Sequence, residues 1–149
     1  MVEGLFLRNQ KMGRILAIDY GLRRTGIAVT DPLKIIASPL ETVSSEHLID
    51  WLKDYTARED VEMIIVGMPT RLDQSDTHIT GSVRMVIDQL KGCFPQIGIS
   101  EIDERFTSKI ARQALVHGGM KKKDRRKKEH IDKVSAAIIL QSHLDQARR

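Results

Sequence analysis

The chain has 149 residues, 41% of them hydrophobic and 30% charged, and a formal charge of +4; this suits a single domain over 1–149 with one packed core. No apolar run nears membrane-spanning length, Gly4-Leu-Phe-Leu7 is too short for a secretory signal core, the lone Cys93 excludes an internal disulfide, and no Cys-His cluster with zinc spacing occurs. A reducing cytosol fits best, and a local excess of Lys and Arg near the C-terminus favours a polyanionic partner such as nucleic acid.

Met12 stands just before the first predicted strand, so residues 1–11 read as an N-terminal extension, either an alternative-start tail or an added edge segment. Ile15 to Tyr20 and Thr25 to Thr30 are short β-branched-rich runs separated by Gly21-Leu-Arg-Arg24, the pattern of a hairpin. Ile35 to Val43 is a third strand, which Pro39 confines to a sheet edge. Ser44 or Ser45 then caps a helix with Leu48, Ile49, Leu52 and Tyr55 on one face. Met63-Ile-Ile-Val66 reads as a strand buried on both faces.

A polar loop over Thr70 to Asp76 leads into a helix marked by Val83, Val86, Ile87 and Leu90 and ended by Gly92. Ile97 to Ile102 is the next strand. Thr107 or Ser108 caps a helix carrying Ile110, Ala111, Ala114 and Leu115 that stops at Gly118-Gly119. A last helix starts at about Glu129. The order βββαβαβαα predicts an α/β fold: a mixed five-stranded sheet flanked by helices.

Three carboxylates stand at the edges of different elements: Asp19 near the end of the first strand, Glu104 after the last one, and Asp132 at the opening of the last helix. Converging at one end of a sheet they would repel one another, and bound Mg²⁺ or Mn²⁺ is the usual relief. Hard divalent ions select oxygen donors, and two of them roughly 4 Å apart can activate water and stabilise both attacking and leaving oxygens of a phosphodiester. Alone, Asp19-Tyr-Gly21 is a weak signal, since strand-end aspartates often only cap turns.

The order of Asp19-Tyr-Gly21 with Thr25-Gly-Ile-Ala-Val29, Ile64-Ile-Val-Gly-Met-Pro69, Asp103-Glu-Arg105 with Thr107-Ser108, and Ile131-Asp-Lys-Val-Ser-Ala-Ala-Ile-Ile-Leu140 resembles the YqgF family. That family is also called RuvX; its members are described as pre-16S rRNA nucleases and, earlier, as Holliday junction resolvases. The resemblance runs from Arg14 to Gln146. It implies a ribonuclease H-like fold in which Asp19, Glu104 and Asp132 bind metal and catalyse, Gly21 shapes the turn beside the first acid, and Arg105 holds a loop or meets phosphate. It also implies that Thr107 or Ser108 orients an acid or a backbone phosphate. One departure is visible: Thr70-Arg-Leu-Asp-Gln74 lacks the Asn and Gly usual after Gly67-Met-Pro69.

The basic run Lys121, Lys122, Lys123, Arg125, Arg126, Lys127 and Lys128 adjoins the helix bearing Asp132. It reads either as a phosphate-backbone contact or as a solvated loop kept open by self-repulsion. Arg23 and Arg24, in the turn after Asp19, likewise meet phosphate or only solvent. Asp103 is a further acid, but strand alternation points it away from Glu104. The five histidines, His47, His78, His117, His130 and His143, share no ligand spacing. Trp51 and Tyr55 read as packing residues.

These observations favour a metal-dependent endonuclease that processes the 5′ end of pre-16S rRNA. Branched DNA is the alternative substrate, which a resolvase would cut as a two-fold dimer, so both monomer and homodimer stay open. A non-catalytic nucleic-acid-binding factor is the reading from another class. A sugar-kinase or actin-like ATPase would need a second lobe that this length leaves no room for.

Overall fold

The computed structural model describes residues 13–68, 78–103 and 128–147. In the first strand, β1 (Arg14–Tyr20), period-two alternation sends Leu16 and Ile18 to one face and Ile15 and Ala17 to the other, and all four are buried. A strand apolar on both faces belongs in the middle of a sheet, and β1 lies between β2 (Arg24–Thr30) and β4 (Val61–Met68). The five strands run in the order β3-β2-β1-β4-β5, with β3 spanning Ala37–Ser44 and β5 spanning Gly98–Asp103. β1 to β3 pair antiparallel, whereas β4 is parallel to both β1 and β5. The mixed sheet and the opening hairpin are therefore as the sequence led us to expect.

Helices cover both faces. α1 (Leu48–Arg58) and α2 (His78–Cys93) bury Leu48, Leu52 and Tyr55, and Val83, Val86, Ile87 and Leu90, against Leu16, Ile18, Ile64 and Val66. These are the apolar faces read from the helical spacing. Tyr55 is buried and Trp51 is stacked on it at a centroid separation of 5.1 Å, so both are packing residues. On the other face α3 (Lys128–Ala147) buries Ala136, Ile139, Leu140 and Leu144 against Ile15, Ala17, Ala28, Ile65 and Ile102.

Three local expectations are corrected. Neither Ser44 nor Ser45 caps α1 with its side chain; a 3-10 turn over Ser45–His47 precedes the helix, and the Ser45 hydroxyl is engaged elsewhere. The third strand starts at Ala37 rather than Ile35, because the amides of Ile35 and Ile36 both donate to Asp31 Oδ1 at 2.8 Å instead of entering a ladder. α2 continues through Gly92 to Cys93. Pro39 does lie on an edge strand, beside a register shift between Ile27 and Ala28 of its partner. The expected helix after Thr107 or Ser108 and the polar loop from Thr70 lie outside the described residues.

Candidate functional site

Small residues decide where α3 can lie. Ala17 and Ala28 are register partners on β1 and β2, as are Asp19 and Gly26 one step along the same face. Without side chains there to hold it off, the helix backbone comes down onto β2. A Cβ on Gly26 would stand 2.0 Å from the Asp132 carbonyl oxygen and 2.2 Å from its carbon, distances no real side chain tolerates. Glycine inside a strand commonly marks such an approach of a second backbone.

The consequence is chemical. Asp132 belongs to the helical stripe that continues through Ala136 and Leu140, both fully buried against the sheet. Its backbone rests on the residue paired with Asp19, so carboxylates 113 positions apart in the chain, by subtraction of 19 from 132, occupy neighbouring places on one sheet face. Both residues are only partly exposed. Two carboxylates offer the hard oxygen donors that Mg²⁺ or Mn²⁺ selects. Among the described residues no group of three His, Cys, Asp or Glu side chains comes together as a metal site. Glu104, the third expected acid, lies outside the described residues.

Arg24 enters this site by its side chain. Its Nε donates to Asp132 Oδ2 at 3.3 Å, with the two side chains 36% and 29% exposed. The pair is the described residues' direct tie between the first hairpin and the last helix's carboxylate. Arg23, next to it, is exposed. Arg105 and the run Lys121, Lys122, Lys123, Arg125, Arg126 and Lys127 lie outside the described residues, as does the side chain of Lys128, whose backbone opens α3.

The turn after Asp19 is fixed from two sides. A Cβ on Gly21 would lie 2.6 Å from the Arg24 carbonyl oxygen, so the chain can double back this tightly only without one. Ser45 then clamps the turn: its hydroxyl donates to the Gly21 carbonyl and shares a 2.8 Å hydrogen bond with Thr25 Oγ1, while its amide donates to the Arg23 carbonyl at 2.9 Å. Asp103 faces the other way. Its register partner on β4 is Met68, which is buried in the α1 and α2 core. His47 is exposed beside Glu46.

Two residues that shape the site were not singled out by their chemistry in the sequence. Ser45 read as a helix cap, and nothing local tells a capping serine from one that reaches back to an earlier turn. Gly26 did carry a signal, since a glycine interrupting the β-branched run Thr25-Gly-Ile-Ala-Val29 marks a close backbone approach.

Comparison with known proteins bears on the family and the fold. The family model for RuvX, described as Holliday junction resolvase, matches residues 13–146. A relative from Amoebophilus asiaticus (strain 5a2), named "Putative pre-16S rRNA nuclease", is 51% identical over 138 residues, covering 93% of this chain and 98% of the relative. One of the same name from Porphyromonas gingivalis is 49% identical over 138 residues, covering 93% of this chain and 100% of its own. The solved structure of Thermus thermophilus RuvC superposes with a TM-score of 0.51 at 15% identity, covering 91% of this chain and 96% of that one. At that identity the likeness concerns the fold, which is ribonuclease H-like.

Proposed function

The chain belongs to the RuvX family, and from that premise we propose that it is a divalent-metal-dependent endonuclease that processes the 5′ end of pre-16S rRNA in the cytoplasm. The observation that carries the reading is the crossing at Gly26, which brings Asp132 beside Asp19. Glu104 completes the set in this proposal. What supports this is that Ile102, two positions earlier in the sequence, packs in the α3 layer.

Mg²⁺ or Mn²⁺ held by Asp19, Glu104 and Asp132 would supply a water acidic enough to attack phosphorus near neutral pH and would offset charge on the leaving oxygen. The protein's own part is placement. Gly21 and Ser45 hold the Asp19 turn, and the Gly26 contact sets the depth of α3. Arg23, Arg105 and the basic run Lys121 to Lys128 are the proposed backbone contacts, which position nucleic acid without reading its bases. The name shared by the curated relatives supports rRNA as substrate; the family model's description supports a second reading, cleavage of four-way DNA junctions.

One assay separates them: a structured precursor 16S RNA 5′ segment and a four-way DNA junction, each with Mn²⁺, Mg²⁺ or EDTA, cut by wild type, Asp19→Asn and Asp132→Asn. Metal-dependent RNA cleavage that both substitutions abolish is the expected result. Symmetric nicks in the junction would favour the second reading. Tight RNA binding with no cleavage of either substrate would point instead to a non-catalytic binding factor.

A further inference from the structure

We propose that Arg24 is an internal counter-ion that the divalent metal displaces from Asp132, and that the released guanidinium then takes a phosphate of the nucleic acid, so that metal loading and substrate binding are coupled. This rests on the reading of Asp132 as a metal ligand. Three features of the pair carry it.

The contact is exchangeable. The described bond from Arg24 to Asp132 runs through Nε, at 3.3 Å and with both side chains about one-third exposed. A guanidinium that locks a carboxylate does so with two parallel, shorter bonds. The two cations also exclude each other. Guanidinium has five N–H donors and no lone pair, so it cannot serve as a ligand, and a dication placed on the same carboxylate repels it at close range.

The geometry further decides which partner leaves. Asp132 is held by its backbone, whose carbonyl sits where a Gly26 Cβ would be. The carboxylate cannot follow the arginine away; only the long Arg24 side chain has somewhere to go. It is rooted at the start of β2, directly after the turn that follows Asp19. A planar fork released beside the acids is suited to a phosphate held there, which it can bind bidentately.

The test measures binding, with cleavage left out. Mn²⁺ affinity is read by electron paramagnetic resonance without nucleic acid, and affinity for a labelled stem-loop RNA is read against salt in Ca²⁺. Arg24→Gln should bind Mn²⁺ roughly two- to five-fold more tightly than wild type, the range set by losing a partly exposed ion pair. The same variant should bind the RNA more weakly, with a salt slope smaller by about one. Arg24→Lys keeps the charge and should hold Mn²⁺ affinity within about two-fold of wild type. It should also weaken RNA binding, because the fork is gone. Arg58→Gln, which breaks a pair with Asp54 on α1, controls for general charge and fold effects.

Unchanged or weaker Mn²⁺ binding in a folded Arg24→Gln overturns the proposal, as does undiminished RNA affinity. Asp132→Asn separates the two levels. If it loses Mn²⁺ affinity while Arg24→Gln gains none, the metal site stands and only the counter-ion role fails. If it binds Mn²⁺ like wild type, the assignment of Asp132 as a ligand falls and the counter-ion role falls with it.

Discussion

Gly26 and Asp132 are in backbone contact: the Asp132 carbonyl oxygen lies 2.0 Å from the point a Cβ on Gly26 would occupy. Because Gly26 is also the register partner of Asp19, one missing side chain lets the backbone of the helix that bears Asp132 lie against the residue paired with Asp19. Stability and chemistry therefore meet at this position.

Gly26→Ala is expected to push α3 off the sheet. The clash is with backbone, which cannot rotate aside as a side-chain tip can, so the cost is that of an overpacked core, about 1–3 kcal/mol or more. Urea unfolding measures it. Cleavage should fall further than the loss of folded protein explains, because Asp132 moves with the helix. Full activity at native stability would show that α3 does not need this contact to place its acid.

Ser45 tests the other wall. Its hydroxyl is the described partner of Thr25 Oγ1, and Thr25 is fully buried. Ser45→Ala should cost about 1–3 kcal/mol by leaving that hydroxyl unsatisfied, whereas Thr25→Val with Ser45→Ala should recover much of it, since removing both polar partners is nearly neutral. A denaturation cycle over the four proteins gives the coupling. Cleavage should stay reduced in the double variant, in which the Gly21 carbonyl still lacks its donor.

The strands and the apolar faces of α1 and α2 were legible because each depends on local period or on a run of residue types. Val83, Val86, Ile87 and Leu90 share a face in any helix, and all four are buried. What was not legible depends on partners far along the chain. Ser45 has a cap's composition and a clamp's contacts, and the choice is made by a turn 24 residues earlier. Arg24 read as a phosphate contact or a solvated residue, but its carboxylate partner lies 108 positions away. The start of the third strand was misplaced for a nearer reason: Asp31 competes with the sheet for the amides of Ile35 and Ile36.

Asp31 makes a pH-dependent contribution. Its carboxylate accepts from the amides of Ile36, Ile35 and Leu33, and these bonds, that from Ile36 foremost, hold its pKa below the ordinary 3.8. A depressed carboxylate pKa gives stability that is present above the unfolded value and lost as pH falls through the folded one. Asp31→Ala should therefore melt below wild type near neutral pH, with the gap narrowing once pH drops under about 3.8. Thermal melts across that range check it, and a gap independent of pH would mean that the loop is held by something other than the ionised carboxylate.

His143 works in the opposite chemical sense, although stability again falls toward acid. It lies on α3 beside the buried Leu144, and burial lowers its pKa below the ordinary 6.5 by disfavouring the imidazolium. Between the folded and unfolded values the unfolded chain binds more protons, so folding stability declines as pH drops through that window. His143→Gln removes the titration and keeps a polar side chain. The variant's melting temperature should accordingly vary less than that of wild type from about pH 7.5 down to about pH 5. Since α3 carries Asp132, the same acidification should loosen the helix that bears the acid, and cleavage by wild type should decline over this range more steeply than cleavage by the variant. Parallel pH profiles for the two proteins would remove His143 as the source of that decline.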